Sequence, residues 1–341
     1  MSSGEKPKTI FITGVAGFLG SHLAEALLKR GHTVRGVDNM IGGYLDNVPQ
    51  GVEFRQMDCI DREGMARFME GSDIVYHCAA TAYEGLSVFS PHLVTQNIFG
   101  ITLSTISAAI STKVRRFVMC SSMARYGTQD KMPYTEDMIP KPQDPYGIAK
   151  YASELCLANL ATTHGMEYSI AVPHNIIGAR QKYDDPYRNV AAIMINLMLQ
   201  GRQPIIYGDG EQMRCFSFYQ DVVDPLIKMG FEDKALGEIV NIGPDEEPVT
   251  INKLASVVAE LIGMKLDPLY MPDRPQEVKV ATCSAEKARK LLGYTTSTNL
   301  REGLADMITY IKTRGPKPFT YHLDLEIVND LTPRTWKEKL F

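Results

Sequence analysis

The sequence of 341 residues predicts an α/β protein: a doubly wound parallel sheet carrying a smaller α/β lobe towards its C-terminal end. Three observations predict it. Through the first half, β-rich stretches alternate with helical stretches of ten or more residues, which is the pattern of βαβ units. The first strand runs directly into glycines and then a helix. Beyond about residue 178 the alternation gives way to isolated helices and short strands separated by Gly and Pro, as in QGRQPIIYGDGEQ and PDEEPVT.

In order along the chain, TIFITG reads as the first strand and SHLAEALLKRG as the first helix. HTVRGVDN, VEFRQMDC and DIVYHCAA follow as strands, then a helix from about Pro91 to Ser111, the strand RRFVMCSS, the helix YGIAKYASELCLANLA and the strand YSIAVPHNIIG. The boundary falls near Pro173 to Arg180. Residues 7–178 are expected to form the sheet domain, to which the chain returns at about 215–245, and residues 179–314 mainly the lobe. The tail, 315–341, holds the only tryptophan, Trp336. It is read as an arm on the body or on a partner subunit, with no chemistry assigned.

Composition narrows the function. Apolar residues make up 44% and charged residues 22%, ordinary values for a soluble globular chain with a sizeable core. A net charge of −4 and the lack of a basic run argue against a nucleic-acid partner. The six cysteines form no CxxC pair and the histidines no HxxxH or HExxH, so reduced thiols in a cytoplasmic protein and no metal are expected. MSSGEKPKT has no apolar core of an export signal, and no window approaches eighteen consecutive apolar residues, so no membrane is expected either.

Gly14, Gly17 and Gly20 lie between the first strand and the first helix. Glycine there permits a tight turn, close approach of a pyrophosphate, and a helix N-terminus directed at the anion. Asp38 ends the second strand, where a carboxylate can accept bonds from the adenosine ribose and repels a 2′-phosphate, favouring NAD over NADP. Its plainer role would be to cap a turn. Tyr146 and Lys150 stand one helical turn apart on one face. An ammonium near a phenol stabilises the phenolate and makes it a usable general base. Alone the pair is a weak signal; with Ser122 at the end of an upstream strand it becomes specific.

Here the chain resembles the extended short-chain dehydrogenase/reductase family, in particular the nucleotide-sugar epimerases and dehydratases and most nearly the UDP-sugar 4-epimerases. The likeness rests on TGVAGFLG, Asp38, MDCID, HCAA, Asn97, SSMARYG, YGIAK, HNIIG, YGDGEQMRCFSF and DRPQE. It implies a Rossmann domain with tightly bound NAD, held by Gly14, Gly17, Phe18, Leu19, Asp38, Asn39, Asp58, Cys59, Ala79, Ala80, Asn97, Tyr146, Lys150 and Pro173. It implies Tyr146 as the acid/base on a sugar hydroxyl, Lys150 on the nicotinamide ribose, and Ser122 on the reacting oxygen. Asn175, Asn189, Val190, Tyr207, Arg214 and Arg274 resemble the groups that hold a nucleoside diphosphate, surface ion pairing being the plainer role of the two arginines. A homodimer through the 91–111 helix and the Tyr146 helix is implied too.

The reaction turns on the loop after Ser122. Family members that eliminate water or decarboxylate carry an acid there, and 3,5-epimerases a cysteine; this chain has Met123 and Ala124. That leaves hydride removal and return at C4 of a UDP-sugar, with dehydration, 3,5-epimerisation and 4-keto reduction as alternatives. A catalytically silent NAD-sensing protein is the reading from another class, disfavoured by retention of Ser122, Tyr146 and Lys150 together. Tyr83, Glu84, His174 and Arg180 could also line the sugar pocket, a satisfied histidine at a strand end being the equal alternative for His174. Arg125 or Arg180 could meet a substrate carboxylate, although a solvent-facing arginine is the preferred expectation.

Overall fold

The computed structural model describes residues 6–275 and 278–341. Strands β1 (Thr9–Thr13), β2 (Thr33–Asp38), β3 (Glu53–Gln56), β4 (Ile74–His77), β5 (Arg116–Cys120) and β6 (Glu167–Pro173) join an edge strand, Ile239–Ile242, in one seven-stranded sheet. All pairings are parallel, in the order 239–242, β6, β5, β4, β1, β2, β3. The central strands are apolar almost without interruption because both faces are covered. Successive side chains alternate between two cores. Ile10, Ile12, Ile74 and Tyr76 pack on one face with helices α1 (Phe18–Lys29), α8 (Tyr219–Phe231) and α10 (Glu286–Leu292). Phe11, Val75, Phe117 and Met119 pack on the other with α2 (Arg62–Met69), α5 (Ile101–Ser111) and α6 (Pro145–His164).

The strand order reverses beside β1, and a parallel sheet opens a crevice there at the carboxyl ends of its strands. Register aligns what enters it. Thr13 stands opposite Val37 on one side and His77 on the other, so Gly14, Asp38 and Cys78–Ala79 emerge side by side.

The helix expected from Pro91 to Ser111 is present but not uniform: α4 (Pro91–Thr95) passes through a π turn, Gln96–Gly100, before α5. One inserted residue widens the turn, a distortion common where a helix faces a site. Its length and hydropathy would suffice to cross a membrane; it packs against α2 and α6, and half of it is buried.

A third core, containing Ile177, Ile206, Phe216 and Phe218, is closed by α7 (Val190–Leu199), α9 (Ile251–Ile262) and α11 (Leu300–Arg314). The tail lies on the body. Its Thr320 N–H donates to the Asp184 carbonyl at 2.9 Å and its Ile327 N–H to the Phe89 carbonyl at 2.8 Å. Glu326 accepts from the free N–H groups of His92 and Leu93 at 2.9 and 2.7 Å, capping α4 with a carboxylate. Trp336, in the short helix α12 (Arg334–Lys337), is 6% exposed and donates its indole N–H to the Pro186 carbonyl at 3.0 Å.

Candidate functional site

The β1–α1 turn is built for an anion. Gly14 has φ +72°, and a Cβ on it would stand 2.9 Å from the backbone of Ala79, so only glycine fits. Gly17 is the N-cap of α1 and caps it with no side chain, leaving the first N–H groups of the helix facing the crevice. A dinucleotide fits this cradle. At the end of β2 the Asp38 carboxylate accepts from Ala16 N at 3.1 Å and Met40 N at 2.8 Å, which fixes both oxygens beside the turn. Burial raises its pKa, and those two N–H groups oppose the rise. Asn39 extends the wall by donating to Asp58 at 3.0 Å. Behind them His77 Nδ1 meets the Thr13 hydroxyl at 2.9 Å and Nε2 the Thr102 hydroxyl at 3.0 Å. The Thr13 oxygen in turn accepts from Ala79 N at 3.1 Å, tying together the ends of β1 and β4 and helix α5.

Gly14, Gly17, Asp38, Asn39, Asp58 and Ala79 line a cavity of about 340 Å³, together with Gly20, Phe18, Leu19, Cys59, Ala80, Asn97 from the π turn, and Pro173. Every residue the sequence assigned to the cofactor therefore borders one space.

The same cavity holds Ser122, Tyr146 and Lys150. Ser122 is the N-cap of a short turn and accepts from Ala124 N at 3.2 Å. Asp144 caps α6, accepting from Gly147 N at 2.8 Å, and Pro145 follows at the first helical position, so Tyr146 lies in the first turn and Lys150 one turn on. The Lys150 ammonium donates to the Cys120 carbonyl at 2.8 Å. Burial lowers its pKa. Burial also raises that of Tyr146, the Ser122 hydroxyl drawing it the other way. The lowered phenol expected from the Tyr-Lys spacing is thus not produced by these residues alone, because the ammonium is turned to a strand carbonyl.

A second cavity, about 270 Å³, adjoins the first through Glu84, Asn175, Arg188, Asn189 and Arg214, which line both. Val190, Tyr207 and Arg274 line the second, the Arg274 guanidinium lying 4.8 Å from the centre of the Tyr207 ring. Tyr83 is buried in the wall of the first, its hydroxyl donating to Asp185 at 2.5 Å.

Two expectations are corrected. Arg125 neither faces solvent nor lines either cavity: it is 3% exposed and pairs with Glu154 of α6 at 3.0 Å, bracing the Ser122 turn against the Tyr146 helix. Arg180 is taken up by Glu25 at 2.6 Å and lines neither of the two. His174 takes the plainer of its two expected roles, buried with Nε2 on the Pro244 carbonyl at 2.9 Å. Of the motif DRPQE, Gln276 and Glu277 lie outside the described residues. Sequence reasoning missed Arg188, Tyr187, Trp336 and Phe341 as wall residues. Arg188 had one signal, a basic residue directly before the Asn189 cap of an apolar helix.

The comparisons with known proteins agree with this geometry. Residues 10–243 match the model of the NAD dependent epimerase/dehydratase family. The chain is similar to a UDP-glucose 4-epimerase of Mycolicibacterium smegmatis, 31% identical over 314 residues, covering 89% of this chain and 98% of that one. Among solved structures it is similar to the UDP-glucose 4-epimerase of Thermotoga maritima with UDP-glucose, at a TM-score of 0.84 and 32% identity, covering 90% and 99%. It is also similar to the UDP-glucuronic acid 4-epimerase of Bacillus cereus in complex with UDP-glucuronic acid and NAD, at 0.83 and 27%, covering 90% and 100%. With a parallel sheet reversing at β1, a glycine cradle beside Asp38, and Ser122, Tyr146 and Lys150 in one cavity, the chain belongs to the NAD dependent epimerase/dehydratase family.

Proposed function

We propose that the protein is an NAD-dependent 4-epimerase of a nucleoside-diphosphate sugar, a UDP-hexose or UDP-uronic acid, acting through a transient 4-keto sugar. The observation that carries this reading is the Ser122 loop: it presents Met123 and Ala124 to the cavity beside Tyr146 and offers neither carboxylate nor thiol. The names of the three relatives, each a 4-epimerase of a UDP-sugar, support it. Residues 7–178 would carry the cofactor and 179–314 the substrate.

Tyr146 takes the proton of the C4 hydroxyl and later returns it, while Ser122 holds the reacting oxygen and Lys150 the cofactor's ribose. NAD, when bound, supplies the hydride acceptor that makes C4 a ketone and gives the hydride back to either face, and its cationic ring favours the phenolate. Asn175, Asn189, Val190 and Tyr207 hold the nucleotide, and Arg214 and Arg274 each offer its diphosphate a fork of donors. A homodimer is part of the reading, supported by exposed Ile148 and Leu155 on α6.

Solvent deuterium tests the reaction. A hydride that leaves C4 and returns to C4 gives a C4-inverted product in D2O with no deuterium on carbon, read by NMR. Deuterium at C3, C5 or C6 in most molecules after one turnover would overturn the reading and point to Glu84 or Asp144, the carboxylates that line both cavities near Tyr146. Dehydration or 3,5-epimerisation would then be the reaction. A 4-keto reductase would be revealed by release of the cofactor at every turnover.

A further inference from the structure

We propose that Arg188 clamps the cofactor: a guanidinium carried by the start of the substrate lobe pairs with the pyrophosphate of the bound dinucleotide. The proposal rests on the NAD reading above. A dinucleotide brings two negative charges to the β1–α1 turn, and that turn has no cation. From Gly14 to Leu23 the one basic side chain is His22. It is buried, its pKa is lowered to about 4, and its Nε2 is engaged by the Ala179 carbonyl at 2.9 Å. Backbone N–H groups and the helix start supply dipoles only.

Among the described residues three Lys or Arg side chains line the first cavity, and they divide by position. Lys150 is held at the Tyr146 end by the Cys120 carbonyl, and Arg214 stands where the two cavities meet. Arg188 reaches the turn. Its Nη2 donates to the Gly42 carbonyl at 2.8 Å, and the Gly42–Gly43 segment is pressed onto the turn so closely that a Cβ on Gly43 would lie 2.3 Å from the Ala16 oxygen. A Cβ on Gly42 would lie 2.1 Å from the same Nη2, so glycine admits the guanidinium.

The arginine is held in place with one donor, Nε, left unbonded. Its side chain is 15% exposed and lies over the Tyr83 ring at 5.0 Å. Its Nε faces Asp185 at 3.5 Å and is buried without a hydrogen bond. Asp185 already accepts from the Tyr83 hydroxyl at 2.5 Å and Tyr187 N at 2.9 Å, so it orients the guanidinium at a distance. A largely buried guanidinium lining the cavity beside a cation-free phosphate cradle fits an anion in that cradle. Because Arg188 adjoins Asn189, the cap of α7, the clamp would couple retention of the cofactor to the segment that walls the second cavity.

The test titrates NAD, ADP-ribose, adenosine and UDP calorimetrically into cofactor-stripped protein and into Arg188→Met and Arg188→Lys. Arg188→Met is expected to weaken NAD and ADP-ribose alike by about tenfold to a hundredfold, the scale of a hydrogen bond to a charged group. Adenosine and UDP should bind as before, and Arg188→Lys should recover part of the loss. Unchanged ADP-ribose affinity, or a loss confined to UDP, would overturn the clamp. An equal loss of adenosine would signal a disturbed pocket; the Asp185→Asn, Arg188→Met pair, which leaves no uncompensated carboxylate, must then show the selective loss of ADP-ribose or the proposal is wrong. Wild-type protein that binds neither NAD nor ADP-ribose would sink the cofactor reading itself.

Discussion

In the proposed mechanism Tyr146 moves the proton; burial holds its phenol protonated, the Ser122 hydroxyl opposes that, and Lys150, one turn on, is turned to the Cys120 carbonyl. Replacing it with Phe removes the proton acceptor and leaves the ring, so turnover should fall by about a hundredfold or more while UDP affinity stays within a few-fold of wild type. Measured turnover above about a tenth of wild type would show that another group moves the proton. At this scale the sequence was legible wherever a side chain's place follows from its own backbone. Gly14 needs a positive φ, Asp38 ends a strand, and Tyr146 and Lys150 share a helix face. Arg125 was not legible because the residue that decides its direction, Glu154, comes from a helix face 29 positions away in sequence. Arg188 was hidden for the same reason, its partner Gly42 lying in a loop of the other half of the molecule.

Helix α1 illustrates how an element is fastened. Its N-terminus faces the crevice, while on its flank His22 stacks on Tyr219 of α8, ring centres 3.5 Å apart, and bonds the Ala179 carbonyl. Burial lowers the His22 pKa from 6.5 to about 4. Between those values the unfolded chain binds a proton that the folded chain refuses. Stability from this group is therefore complete above pH 6.5 and falls as the pH drops towards 4, a difference of about 3 kcal/mol. His22→Gln keeps a donor for the carbonyl and does not titrate. Urea unfolding from about pH 7 to 4.5 should show a shallower loss of stability in the variant than in wild type; parallel curves would mean that His22 is not buried neutral. The neighbouring elements were readable from period alone, but the π turn before α5 was not, since one extra residue leaves the apolar spacing nearly intact.

At the scale of the whole molecule, one helix face among the described residues lacks a partner. Ile148 and Leu155 stand two turns apart on α6, 53% and 55% exposed, in a chain whose other long helices bury their apolar stripes. The proposed homodimer would cover them. Sedimentation equilibrium at micromolar concentration should give about twice the chain mass of 38.0 kDa, and Leu155→Arg should shift it to the monomer. A wild-type monomer would reject the interface. The tail was the least legible part, because it has no period: it follows the body through backbone bonds and single side chains such as Glu326 and Trp336. That placement has an optical consequence. The only tryptophan of the chain sits in the wall of the second cavity, remote from the glycine cradle in sequence and bordering a different ligand space. Light absorbed selectively by indole is thus emitted from one half of the cleft alone, and its colour and intensity register what enters that half without any label being attached.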